Sequence, residues 1–376
     1  MRSSLAERVA PYLEKVAAVA PIAGATADWS EANSRPADEF VDALRKAGLF
    51  RLLGPQEMGG AALSPWELGP IIEAMARVDG SAGWTLALGQ GLLGQLVKPE
   101  IFRELFSDPN LSMAGSLNPA HVRAIKAKGG YRYSGRGTYV SGCTHASWMM
   151  AAGVVVEDGA VKIADGAPVI RAGVLPMKDC VIRETWNVLG MRGTGSHDVE
   201  FDDIFVRDDL TFPQANALAN LGASLSPVAL GVARLALDAF VELASAKKPT
   251  GARDLLRERV TAQAQLGEAE GLLQAARSFF YETVEEAEAR RGAGRAPTDA
   301  ARARMGLGAV MAAQFSGRAV DNIYEAAGLT AAANDCAIGR CWRDVHVLRQ
   351  HITLATTRFE VVGRVYLGLP PGSPLI

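Results

Sequence analysis

The feature that most constrains the fold is a change of sequence texture along the chain, from helical to β and back to helical. Residues 4–108 place apolar side chains three and four positions apart, as in FVDALRKAGLF, which predicts helices separated by Pro and Gly. Residues 111–213 contain short β-type runs such as YRYSGRGTYV with turn residues between them. Long Ala-, Leu- and Glu-rich segments follow at 224–246, 252–291, 299–327 and about 341–367, and these predict a helical bundle.

These textures divide the chain into three predicted regions of an α+β, mostly α, protein. We expect an N-terminal helical domain over 1–110, a central β domain over 111–213 and a C-terminal helical bundle over 214–376. Within the bundle, the linker at 290–299 ends in Thr298 and Asp299, either of which can cap the next helix.

Charge and cysteine content narrow the classes of partner. The chain has 39 Lys and Arg against 41 Asp and Glu, so it carries no basic footprint for nucleic acid. Its four cysteines form no CxxC pair, and His346 and His351 do not share a face of the predicted helix, so we expect neither disulfides nor a metal site. Charged residues interrupt every apolar run, which predicts a cytoplasmic protein without an export signal or membrane contact.

Residues 131–148, YRYSGRGTYVSGCTHASW, resemble the strand and turn that lie along the flavin in the acyl-CoA dehydrogenase superfamily. The resemblance places Tyr139, Val140 and Ser141 at the aromatic, aliphatic and hydroxyl positions of that segment. It implies that the Ser141 hydroxyl neighbours the flavin N5, which is an acceptor when oxidised and a donor when reduced. The alternative is that Ser141 begins an ordinary Ser-Gly turn.

Two flanking blocks carry the same resemblance. Residues 183–206, RETWNVLGMRGTGSHDVEFDDIFV, resemble the flavin-dependent two-component monooxygenases of this superfamily and imply that Trp186 walls the flavin pocket, although their glycines also suit simple turns. Residues 112–120, SMAGSLNPA, match the stretch that cradles the flavin, which implicates Ser116 and Asn118. Asn118 before a proline equally suits an Asx turn.

The C-terminal segment separates two chemistries. Residues 342–368 resemble the last long helix of the family, which an Arg-Asp pair opens, and counting from Arg343 places Ile352 where many dehydrogenases carry a catalytic Glu. An isoleucine cannot accept a proton, so dehydrogenation with that base is disfavoured. His351 stands where monooxygenases of this branch often carry a His near the flavin C4a, and the alternative is a histidine that only packs against neighbouring helices.

The resemblance implies an acyl-CoA dehydrogenase-like fold with a central β-barrel-like domain and a C-terminal four-helix bundle. It further implies a monooxygenase that uses reduced flavin (FADH2 or FMNH2) and O2, through a flavin C4a-hydroperoxide, to hydroxylate a hydrophobic, aromatic or indole-like small molecule. Ser141 and His351 would be catalytic, and Trp84, Gln90 and Leu93 are candidates for the substrate pocket. The alternatives are a dehydrogenase or oxidase of acyl thioesters and a degenerate member kept as a scaffold.

Partners follow from the same resemblance. No GxGxxG run suits a nicotinamide site, so we expect a separate NAD(P)H:flavin reductase to supply the cofactor. The phosphate-binding region reads AKKPTGARDLLRERV at 246–260, which retains Lys247 and Lys248 but alters the FAD motif and leaves FMN open. Because the flavin site of the family lies between subunits, a homotetramer is also implied.

Overall fold

A computed structural model describes residues 3–90, 98–214 and 221–373 of the chain. The N-terminal part is helical, as predicted. Its helices are α1 Ser3–Asn33, α2 Asp38–Lys46, α3 Leu68–Ala76, α4 Gly80–Gly89 and α5 Pro99–Phe106.

Helix α1 contains two prolines. It runs unbroken through Pro11 and Pro21, although proline separates other helices of the predicted N-terminal region. Both prolines lie on the solvent side, while Val9, Val16 and Val19 are buried in the core. An interior proline costs a helix about 3 kcal/mol, and burying each valine stabilises it by roughly 1.5–3 kcal/mol, so packing outweighs the two breaks.

The middle of the chain forms the predicted β domain. Its strands are β1 Met113–Ser116, β2 Val122–Ala127, β3 Gly130–Gly137, β4 Trp148–Glu157, β5 Ala160–Val161, β6 Ile163–Ala164, β7 Ala167–Pro168, β8 Ile170–Pro176, β9 Val181–Arg183, β10 Asp198–Arg207 and β11 Thr211–Pro213. The main sheet has the order β11-β8-β4-β2-β3-β10-β9, and β1 runs parallel to β4. A bridge between Gly115 and Ser141 ties the loop after β3 to β1.

The C-terminal part consists of helices. They are α6 Leu221–Ala246, α7 Val260–Gly292, α8 Asp299–Ala327, α9 Ala337–Leu348 and α10 Arg358–Tyr366. Helix α8 spans the predicted residues, and the Thr298 hydroxyl caps it by accepting from the backbone N–H of Ala301 at 3.2 Å. Helix α8 packs on α7 and α6, and α9 lies against α6 and α8.

The single last helix predicted over 341–367 is wrong, because the chain leaves helical geometry between α9 and α10. His351 lies in this break rather than on a helix. There the backbone N–H of Thr353 donates to the His351 side chain at 3.3 Å, and such local bonds compete with helical hydrogen bonds. Leu354 is fully buried by the resulting turn.

Two hydrophobic cores organise the molecule. One joins the helices before the β domain to those after it, from Leu5 to Leu354. The other fills the β domain and takes in Ile101 and Phe106 of α5, so α5 packs with the sheet although the predicted domain boundary lies at residue 110. Among the helices described, none is long and apolar enough to cross a membrane.

Candidate functional site

Ser141 lies in the loop that follows β3, where the β domain meets the helical core. Its bridge to Gly115 places it beside the end of β1, which carries Ser116. Both serines are buried, each with 7% of its surface exposed. The fold therefore brings together two residues of the predicted cofactor site that lie 25 positions apart in the sequence.

A continuous path of side-chain hydrogen bonds runs through Ser141. The indole Nε1 of Trp84 donates to Ser141 Oγ at 3.1 Å, and Ser141 Oγ lies 2.6 Å from Ser196 Oγ. Ser196 Oγ is 2.8 Å from Thr194 Oγ1, which donates to the backbone oxygen of Met191 at 2.8 Å. We call these four side chains, from Trp84 to Thr194, the hydroxyl relay.

Helix α4 fixes one end of the hydroxyl relay. The Asp79 carboxylate caps the helix by accepting from the N–H of Ala82 at 2.8 Å. Gly83 lets α4 approach α3 closely, since a Cβ at this position would lie 2.5 Å from that of Ala76. Trp84 is thereby buried with its ring nitrogen directed at Ser141.

His351 joins this site through the ring of Trp84. The two rings meet edge to face, with centroids 5.6 Å apart and an interplanar angle of 71°. Desolvation of the imidazole lowers the pKa of His351 to about 4, so the ring is neutral at physiological pH. Its Nδ1 accepts from the backbone N–H of Thr353 and lies 2.9 Å from the hydroxyl of that residue, which leaves the ring proton on Nε2.

Trp186 and Tyr139 form a second aromatic pair next to the relay. The Trp186 ring nitrogen donates to the Met191 oxygen at 3.0 Å, the same oxygen that ends the relay. Tyr139 meets Trp186 edge-on at 6.2 Å, and 68% of its surface is exposed. His197 positions the start of this segment, because its Nδ1 accepts from the N–H groups of Thr185 and Trp186, each at 3.1 Å.

The turn that holds Met191 depends on a buried acid. Met191 adopts the left-handed backbone conformation with φ of 55°, an uncommon geometry for a side chain of this size. Its N–H donates to the Asp344 carboxylate at 2.5 Å. Asp344 and Asp79 are both buried, and burial together with the neighbouring Asp79 charge raises the pKa of Asp344 to about 7.

Two predicted site residues have other partners in the structure. The Asn118 side chain accepts from Ala120 N–H at 3.2 Å, which is the Asx turn that the sequence also allowed. Gln90 is buried and uses its amide to bind the backbone of Leu49, Leu52 and Leu86, so it joins α4 to the preceding loop. Leu93 lies outside the described residues.

Burial shifts the pKa values of two residues near Ser141, and neither residue has an evident reactive role. Burial raises the pKa of the Cys143 thiol to about 12, and its sulfur lies 3.3 Å from the Gly195 oxygen, so it is no nucleophile at neutral pH. Burial lowers the pKa of His145 to about 4. Its ring stacks on Phe50 with centroids 6.0 Å apart, and neither ring nitrogen has a hydrogen-bond partner in the described part of the chain.

Sequence reasoning missed Thr194 and Ser196. Both lie in the run GMRGTGS, where only the glycines attracted notice. The signal that could have identified them is the pair of hydroxyl residues two positions apart, since a turn with this spacing can bring the two hydroxyls within hydrogen-bond distance of each other. That Ser196 also meets Ser141 follows only from tertiary structure, because 55 residues separate the two serines.

Comparison with known proteins adds the family to this geometry. Residues 4–98 match the family model described as "Acyl-CoA dehydrogenase, N-terminal domain", and residues 223–356 match "Acyl-CoA dehydrogenase, C-terminal domain". The chain is 31% identical to a "Pigment production hydroxylase" of Rhodococcus sp., covering 97% of this chain and 98% of that protein. It is 30% identical to an "Indole-3-acetate monooxygenase" of Pseudomonas putida, covering 89% of this chain and 87% of that protein.

One further relative and one solved structure are also similar to this chain. The "Flavin-dependent monooxygenase, oxygenase subunit HsaA" of Mycobacterium tuberculosis is 29% identical, with 90% of this chain and 91% of that protein covered. The solved structure "XiaF from Streptomyces sp. in complex with FADH2 and Glycerol" superposes with a TM-score of 0.91 at 24% identity, over 100% of this chain and 99% of that one. The match to XiaF confirms the expected fold.

Proposed function

Because this chain belongs to the flavin-dependent monooxygenases of the acyl-CoA dehydrogenase superfamily, we propose that it is the oxygenase component of a two-component system. In this proposal it uses reduced flavin, FADH2 or FMNH2, and O2 to hydroxylate a hydrophobic, aromatic or indole-like small molecule. The observation that carries the proposal is the hydroxyl relay, which links Trp84 to Ser141, with His351 against the Trp84 ring.

The residues at this site fit a flavin. Ser141 offers a hydroxyl at the edge of the β domain, as a neighbour of N5 requires, and the Tyr139 and Trp186 rings offer apolar surface for a flat ring system. Ser116 lies beside Ser141 and completes the proposed cradle, whereas Asn118 contributes through the Asx turn that shapes it. When bound, reduced flavin supplies the reaction with O2, for which we propose the C4a-hydroperoxide expected from the resemblance.

His351 is proposed to hold a proton at the oxygen-reacting side of the flavin. A neutral imidazole with its proton on Nε2 is a hydrogen-bond donor, and Thr353 keeps Nδ1 in the acceptor state. The low pKa means that the donor form persists across the physiological range. Trp84 contacts both the His351 ring and the Ser141 hydroxyl. We propose that the indole keeps water from this part of the site, which would favour oxygen transfer over release of peroxide.

The dehydrogenase alternative receives no support from the described residues. Ile352, at the position counted for the catalytic Glu, has 53% of its surface exposed. The nearby Asp344 carboxylate is committed to the N–H of Met191. An α-proton abstraction of the usual kind therefore lacks a base here.

We keep both flavins in the proposal. Lys247, in the region that binds phosphate in FAD enzymes, donates to the Ala327 oxygen and the Thr330 hydroxyl, each at 2.7 Å, and so caps the end of α8. This commitment does not favour a dedicated pyrophosphate site at Lys247. A separate NAD(P)H:flavin reductase and a homotetramer also remain part of the proposal, and Tyr366, Leu367 and Leu369 expose apolar surface at the C-terminal end that suits contact with another copy.

The test is a single turnover with chemically supplied reduced flavin. The purified protein, mixed anaerobically with reduced FMN or FAD and then with aerated buffer in a stopped-flow instrument, should show an oxygenated-flavin absorbance that outlives the same signal in free flavin. His351→Ala should lower the yield of hydroxylated indole per reduced flavin and raise that of H2O2, whereas His346→Ala, in the same region, should not. Decay of the absorbance as fast as in free flavin would count against the oxygenase function.

A further inference from the structure

We infer that Thr194 and Ser196 fix the direction of the Ser141 hydroxyl and thereby make the site selective for reduced over oxidised flavin. The inference rests on the proposed placement of Ser141 beside N5. It concerns two residues that the site prediction did not include, and it follows from counting donors and acceptors along the hydroxyl relay.

The direction of the relay is set at its far end. A carbonyl oxygen only accepts hydrogen bonds, so the Thr194 hydroxyl donates its one proton to the Met191 oxygen. At the contact of 2.8 Å between Thr194 and Ser196, Thr194 can then only accept, and Ser196 must donate. Each hydroxyl has one proton, so the choice made at Met191 is passed on to the next side chain.

The same count reaches Ser141. Because the Ser196 proton is directed at Thr194, the 2.6 Å contact between Ser196 and Ser141 requires Ser141 to donate. On its other side Ser141 Oγ accepts from the Trp84 ring nitrogen, which is a donor only. The hydroxyl proton and one lone pair of Ser141 are thus used, and one lone pair remains.

Other contacts hold this arrangement in place. The Met191 oxygen accepts from Trp186 as well as from Thr194, and the Met191 N–H is held by Asp344. All three hydroxyls are buried, so water does not readily offer them other partners. Reversing the relay would break the bond from the Thr194 hydroxyl to the Met191 oxygen, so Ser141 could donate to an oxidised flavin only at the loss of one buried hydrogen bond.

The remaining lone pair distinguishes the two redox states of a flavin. Reduced flavin carries a hydrogen on N5 and can donate to Ser141, whereas oxidised flavin presents a lone pair at N5 and needs a donor. With the relay intact, Ser141 satisfies only the reduced form. A hydroxyl by itself can serve either state, so the selectivity belongs to Ser196 and Thr194 as positioning residues.

The experiment compares affinities for the two redox states, without turnover. The full-length chain is titrated anaerobically with oxidised and with dithionite-reduced FMN and FAD. For each flavin, the dissociation constant of the oxidised form is divided by that of the reduced form, and this quotient is the ratio compared between variants. Wild type should bind the reduced form more tightly. Ser196→Ala and Thr194→Val each free the Ser141 proton to reach an oxidised N5, and should lower the ratio by about tenfold, equivalent to a fall of about 30 mV in the two-electron potential of the bound flavin.

Two controls separate direction from general damage. Trp84→Phe removes a hydrogen bond to the same Ser141 oxygen without releasing its proton, so the ratio should stay close to that of wild type. Thr283→Val removes a buried hydroxyl that donates to the Phe280 oxygen in α7, and it reports the effect of an equivalent loss remote from the relay.

The outcomes are distinguishable. If Ser141→Ala lowers the ratio but Ser196→Ala and Thr194→Val do not, Ser141 neighbours N5 and the relay inference is wrong. If Ser141→Ala also leaves the ratio unchanged, the proposed N5 placement fails and takes the inference with it. A wild-type protein without preference for reduced flavin overturns the inference as well. Use of both relay variants guards against one of them failing to fold.

Discussion

Replacing Asp344 by Asn should change how the stability of this protein depends on pH. Asp344 is buried, and burial, followed by the charge of Asp79, raises the pKa of its carboxyl from 3.8 to about 7. Glu31 adds to the increase and Arg340 opposes it. The Asn side chain keeps an oxygen that can accept from Met191 N–H, so the substitution removes the titration with little change in shape.

The sign follows from proton binding. Between pH 4 and pH 7 the folded protein holds the Asp344 proton while the unfolded chain has released it, so this group makes stability fall as pH rises. This contribution to stability is fully present below pH 4 and is lost as the pH rises through 7. The shift of about three pH units, at about 1.36 kcal/mol each, amounts to about 4 kcal/mol, of which about 3 kcal/mol is lost between pH 5 and pH 8.

The assay is urea unfolding of wild type and Asp344→Asn at pH 5 and pH 8, at one chain concentration and ionic strength. The free energy of unfolding of the variant minus that of wild type should be about 3 kcal/mol larger at pH 8 than at pH 5. Contributions from His145 and His351 are common to both proteins and cancel. Asp335→Asn, at an exposed carboxylate, should show no such change. Parallel pH profiles for wild type and Asp344→Asn would refute the reasoning.

Two further predictions concern residues whose partners the structure resolves. Gln90→Leu should destabilise the protein by about 2–4 kcal/mol in urea unfolding, because it leaves the backbone N–H of Leu52 and the oxygen of Leu49 unpaired in the core. His145→Phe should keep or raise the melting temperature in a thermal scan, because it retains the stacking on Phe50 and removes two buried nitrogens that lack a partner in the described chain.

The matched comparisons are surface residues of the same type. Gln274→Leu removes an exposed side chain bonded to Glu270 and should cost far less than Gln90→Leu, and equal losses would show that the Gln90 bonds add nothing. His121→Phe exposes an aromatic ring without filling a core. A clear fall in melting temperature for His145→Phe alone would mean that the ring nitrogens of His145 are paired in the folded protein.

Local sequence patterns determined the order of the secondary structure. Apolar periodicity and turn residues predicted helices, then strands, then helices, and the capping residue of α8 was visible in the linker before it. Both features depend on contacts between residues a few positions apart. The segments 131–148 and 183–206 pointed to Ser141 and Trp186 through their resemblance to the acyl-CoA dehydrogenase superfamily.

Tertiary structure decided what local pattern could not. Proline in α1 did not break the helix, since burial of its apolar face against other helices outweighed the local cost. Periodicity extended the last helix through His351, yet the chain turns there, and the turn directs the imidazole at Trp84. The direction of the Ser141 hydroxyl depends on Ser196, Thr194 and Met191, all at least 50 positions away. Hydrogen-bond direction is a property of the assembled network, so the sequence by itself pointed to Ser141 as a candidate, while packing brought Ser196 and Thr194 to it and determined what its hydroxyl can accept or donate.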